Sequence, residues 1–157
     1  MIPTYLQKRM DSYLLNRGVS PKYAKEAGLY PVTGTQARGL SSPFAHDSIV
    51  IPYPHPFTRK PHETLVRFRY LSDPLPTSKD GKEVRFAQPK GSVVEAYFDP
   101  HVDWRNVVTD ITVDVHFVEG EIKALAMNRQ GIVTIGLGGV DSFGGADLTP
   151  WMREVLG

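Results

Sequence analysis

The residues with chemistry in them fall into an acidic group and a basic group. Glu119 and Glu121 stand two positions apart in Val118-Glu119-Gly120-Glu121-Ile122. Glu119 ends an apolar-alternating stretch, so it sits at the carboxyl end of a strand, the edge where open α/β sheets usually place their chemistry. The alternative is that it only begins a helix. The basic group is Arg67 and Arg69, with Phe68 and Tyr70 interleaved, joined by Arg85 and Lys90. Arginine offers a planar fork of donors that matches phosphate oxygens. Lys90-Gly91 in a turn brings an ammonium and backbone N–H groups to the same kind of anion. The five histidines show no metal spacing: His46, His55, His62 and His101 read as surface residues and His116 as a satisfied structural one.

Both groups need elements to hold them. Ile111, Val113, Val115 and Phe117 alternate with polar residues and predict a strand. Residues 121–129 predict a helix with Ile122, Leu125 and Ala126 inward, and Glu121 in its first turn suits the helix dipole. Gln130-Gly131 ends that helix, and residues 132–137 predict a second strand, giving a βαβ unit. The glycines that follow, Gly138 and Gly139, with Asp141, form a loop at the same edge as Glu119 and Gly120. Thr149 or Asp147 predicts a cap for a final helix over 150–156. The basic group rests on a strand over 64–71, with Leu65, Arg67, Arg69 and Leu71 on one face and Val66, Phe68 and Tyr70 on the other.

Ahead of these, residues 4–17 and 21–27 predict a helical hairpin, with Gly18 as a stop and Ser20-Pro21 as cap and first helical position. Residues 31–47 read as a loop, 48–51 as a buried strand, 52–63 as a proline-broken turn, and 93–98 as a short strand. The fold class is therefore α+β or α/β: a helical lead-in over 1–30, a basic and mostly antiparallel β subdomain over 31–110, and a βαβ unit over 111–157.

Composition narrows the function classes. The chain has 157 residues, of which 41% are hydrophobic and 22% charged, as in ordinary globular domains. It has no cysteine, which excludes disulfides, cysteine zinc sites and thiol nucleophiles and fits a reducing cytoplasm. No apolar run approaches the roughly 20 residues of a membrane span. Residues 1–110 carry 15 basic and 11 acidic side chains, whereas 111–157 carry 3 and 6. A basic front and an acidic back suit a polyanion and a cation respectively. Two phosphate-binding motifs fail. Asp141 stands where a dinucleotide fingerprint needs its third glycine, and Gly144-Gly145-Ala146 lacks the lysine of a P-loop.

Val118-Glu119-Gly120-Glu121-Ile122-Lys123-Ala124 with Gly136-Leu137-Gly138-Gly139-Val140 resembles the first half of a Toprim domain, the form found in primase–helicase proteins of phages, plasmids and other mobile elements. Leu15-Asn16-Arg17-Gly18-Val19-Ser20, Val66-Arg67-Phe68-Arg69-Tyr70 and Arg85-Phe86-Ala87-Gln88-Pro89-Lys90-Gly91-Ser92 resemble the lead-in and basic subdomain that precede it. The resemblance implies that Glu119 acts as general acid/base or helps hold Mg2+ during nucleotidyl transfer. It implies that Arg67, Arg69, Arg85 and Lys90 guide single-stranded DNA, and that nucleotides and a helicase or further primase segment are partners. The family's later Asp-x-Asp motif is absent from this sequence. The expectation is thus a primase fragment inactive alone. Two alternatives stand beside it: a non-catalytic single-stranded-DNA-binding module, and a protein-interaction module. Self-association through a sheet edge is compatible with all three.

Overall fold

A computed structural model describes residues 1–138 and 148–157. The fold is mixed α/β, and the described residues form one four-stranded and one three-stranded sheet. The chain divides into two compact units. The first comprises Met1–Asn16, Ser20–Pro52 and Glu63–Ser92; the second comprises Arg17–Val19, Tyr53–His62 and Val93–Gly157.

In the first unit, α1 (Thr4–Leu15) buries Leu6, Met10 and Leu14, a spacing of four that keeps one stripe inward. Helix α2 (Pro21–Glu26) starts at Ser20, whose side chain accepts from the Tyr23 N–H, with proline at the first position. The stretch read as a loop holds two elements, β1 (Tyr30–Val32) and α3 (Gly34–Gly39). A reciprocal capping box between Thr33 and Gln36 sets α3 despite its two glycines. Strands β2 (Ser48–Pro54), β3 (Pro61–Tyr70) and β4 (Phe86–Ala87) complete a sheet of order β1-β2-β3-β4. Val32, Ala37, Val50, Phe68 and Tyr70 form the core on one face of it.

In the second unit, β5 (Tyr97–Phe98), β6 (His116–Glu119) and β7 (Thr134–Leu137) form a sheet of order β5-β7-β6. Strands β6 and β7 are parallel, with Glu119 opposite Leu137, and β5 runs antiparallel to β7. Helix α5 (Glu121–Arg129) crosses between the parallel pair. Helix α6 (Pro150–Leu156) follows at the C-terminus, and a helix missed in the sequence, α4 (Trp104–Thr109), is capped by Asp103. Phe98 and Trp104 meet edge-on at 5.1 Å within a core that includes Ile135 and Met152. Strand β6 is shorter than the alternation from 111 predicts. Ile111 is fully exposed because no neighbouring strand pairs with its segment among the described residues. His116, read as a satisfied structural residue, is likewise exposed. No described helix is long and apolar enough to cross a membrane.

Candidate functional site

The two glutamates of the acidic turn part company where strand becomes helix. Glu119 is the last residue of β6 and is exposed. Gly120 follows with φ +101°, a left-handed conformation that glycine adopts freely. Its N–H donates to the Leu137 carbonyl at 2.6 Å, stitching the turn to the end of β7. Glu121 then opens α5 and is wholly buried, its Oε1 accepting from the Tyr53 hydroxyl at 2.5 Å. The Tyr53 ring stands edge-on to Tyr97 at 5.3 Å. Glu121 is therefore more than a helix-start residue favoured by the dipole. It anchors the turn that projects Glu119.

Glycines serve close approach at this edge. A side chain at Gly136 would put its Cβ 3.2 Å from both the Ala124 Cβ and the Gly120 carbonyl oxygen. The bare backbone lets α5 lie close on β7. Glu119, Gly120 and Gly138 thus come together at the carboxyl ends of the parallel strands. Gly139, Asp141 and Asp147 lie outside the described residues. The N-terminus of α5 has Gly120 at the cap position and makes no side-chain cap hydrogen bond.

Of the two glutamates in the turn, Glu119 is exposed and available to Mg2+, whereas Glu121 is committed inside. The described residues contain no group of three or more His, Cys, Asp or Glu side chains arranged for a metal. Mg2+ commonly combines one or two carboxylates with substrate phosphates, so Glu119 fits as one such donor.

Glu95 escaped the sequence reading. It is buried, and its Oε1 accepts from the Trp151 N–H at 2.9 Å, so it caps α6 from 56 residues away. Thr149, at the N-cap position, makes no cap bond. A single glutamate beside two valines carries no local signal of such a role. Two histidines of the second unit are held in place too. His55 Nδ1 accepts from the N–H groups of Phe57 and Thr58, which leaves the ring proton on Nε2 to donate to Glu154 at 2.9 Å. His55 and His62 both lie against Trp151, at 5.2 and 5.5 Å between ring centres.

The basic group in the first unit is not the open face that alternation implies. Arg67 and Arg69 are half-buried, with guanidiniums over the Phe86 ring at 5.1 and 5.3 Å. Arg69 also lies 4.7 Å over Tyr13, donates from Nε to the Tyr13 hydroxyl and from Nη1 to the Tyr70 carbonyl, both at 2.7 Å. Tyr13 of α1 and Phe86 of β4 thus hold Arg69, and Phe86 holds Arg67, so the arginines brace the fold first. Arg85 and Lys90 are exposed, and Lys90 precedes Gly91 in a tight turn closed by the Ser92 N–H to the Pro89 carbonyl.

No protein-family model matches the chain, and neither a curated protein nor a solved structure matches it at a significant level.

Proposed function

We propose that the chain is a Toprim-type, primase-like nucleic-acid-processing domain of a mobile-element replication protein, working on single-stranded DNA and nucleotides. The observation that carries this reading is the exposed Glu119 at the carboxyl end of β6. It stands beside the parallel β7 and directly ahead of the left-handed Gly120 that opens α5. A carboxylate there, at the N-terminus of a helix whose dipole favours anions, suits a reacting phosphate by supplying an acid/base group. With bound Mg2+, Glu119 is the residue that would hold it, and the ion would neutralise phosphate charge. Further acidic groups of the metal site would come from outside the described residues. Arg85 and Lys90 supply the exposed cations for the template backbone, with Arg67 and Arg69 supporting the surface from beneath. A helicase or further primase segment is the expected partner, and β6, the edge strand of its sheet among the described residues, is where another chain would add a strand.

The test is Mg2+-dependent nucleotide incorporation on a single-stranded template by the protein as its reading frame encodes it. Glu119→Gln should lower the rate by at least about a hundredfold, the scale of a lost acid/base group. An unchanged rate overturns the reading. The non-catalytic alternative predicts no incorporation but salt-dependent binding to single strands that weakens in Arg85→Ala with Lys90→Ala and ignores Glu119→Gln.

A further inference from the structure

The geometry points to a second ligand site, in the first unit, that takes a single nucleotide by its phosphate and its base. A cleft of about 370 Å³ lies against α1 and the end of β3, lined by Arg9, Tyr13 and Arg69, by the chain from Tyr70 to Leu75, and by Glu83. That volume falls in the range of small-molecule sites, roughly 300–1,000 Å³.

The two arginines are set in place before any ligand arrives. Arg69 is fixed by Tyr13 and Tyr70 through Nε and Nη1, while its Nη2 is neither buried nor bonded among the described residues. Arg9 donates from Nη1 to the Leu71 carbonyl at 3.3 Å, on the same lining. Guanidiniums held this way lose little freedom on gripping a phosphate. Asp73 and Glu83 add two exposed carboxylates, so the charges of the lining cancel. A bare anion meets attraction and repulsion together. A ligand that carries an anion at one end and N–H donors at the other satisfies both. Leu71, Pro74 and Leu75 add apolar surface for a flat ring. A nucleotide has this combination: a phosphate for Arg9 and Arg69, a base for the apolar wall, and an exocyclic amine for a carboxylate. The site is distinct from the Glu119 edge and does not depend on the catalytic reading.

Calorimetric titration of the 157-residue chain with 5′-AMP, adenosine, inorganic phosphate and a short oligo(dA) tests it. AMP should bind at least about tenfold more tightly than adenosine or phosphate, because both ends contribute. Arg9 is exposed, so Arg9→Ala should fold normally and weaken AMP about tenfold by removing a charged donor. Glu83→Gln should weaken AMP more than UMP, whose base has no exocyclic amine. Oligo(dA) binding more tightly than AMP, with the same Arg9 dependence, assigns the nucleotide to a strand; the reverse order assigns it to a free nucleotide. Phosphate binding as well as AMP, no effect of Arg9→Ala, or loss of AMP binding in Glu119→Gln overturns the site.

Discussion

The acidic turn and the arginine strand pose the same puzzle with different answers. Each places two like charges two positions apart. In β3 the period of two sends Arg67 and Arg69 to one face, and there both lie over the Phe86 ring of β4, with Tyr13 of α1 adding a second ring for Arg69. In the acidic pair the same spacing straddles the junction of β6 and α5, and the left-handed Gly120 turns the chain between them. Glu119 is left in solvent, while Glu121 is buried against Tyr53. Spacing says which charges are neighbours; the backbone between them decides which remain available.

Substitutions break or sharpen this contrast. The largest effect is expected at Glu121. Glu121→Leu leaves the buried Tyr53 hydroxyl without its acceptor and should cost about 3 kcal/mol in urea denaturation. A cost near zero would mean that the inner glutamate anchors nothing. Arg69→Ala loses two short hydrogen bonds and stacking on two rings, and about 2 kcal/mol is expected for this half-buried side chain. If Arg85→Ala costs as much, the distinction between bracing and exposed arginines fails. Gly136→Ala should cost about 1 kcal/mol by crowding α5 against β7, visible as a lower melting temperature. Glu119→Gln should stay within about 0.5 kcal/mol, as for an exposed side chain, so any loss of activity there is not a loss of fold.

The smallest effect near neutrality concerns Tyr70, the inward neighbour of Arg69. Burial raises its hydroxyl above the ordinary value of 10.0, partly offset by the hydrogen bond with Ser42. With the folded value above the unfolded one, its contribution is complete below pH 10 and is lost as pH rises from there through the folded value. Tyr70→Phe should flatten the alkaline limb of a stability–pH curve; an unchanged limb would show that the hydroxyl does not feel its burial.

Local signals carried much of the fold. Ser20-Pro21, Gly131 and Thr149-Pro150 lie at helix boundaries, and the helices they bound appear where they were expected. Helix α3 was hidden because Gly34 and Gly39 outweighed the Thr33–Gln36 capping box, and α4 because valines and a tryptophan read poorly as helix. The alternation from Ile111 overstated β6, since alternation needs a neighbouring strand to become a ladder. Within the candidate site, the placement of Glu119 and Gly120 between strand and helix was legible, because a strand–turn–helix is local. The Tyr53–Glu121 bond and the Glu95 cap were not, since they join residues 68 and 56 positions apart. Nor did the sequence of β3 say that Phe86 and Tyr13 would lie over its arginines.

The second unit is assembled from three separated pieces of chain, and its earliest piece is a single turn. The Gly18 carbonyl accepts from Arg129 Nη1 at 2.9 Å, across 111 positions. As the protein emerges from the ribosome at about 5–20 residues per second, that turn must wait several seconds for its partner. The first unit, complete in sequence by Ser92, has all its pieces well before then. Order of synthesis thus favours the arginine-braced sheet forming first, with the acidic edge closed only when α5 has been made and its far-separated contacts repay the entropy of the long loops they close.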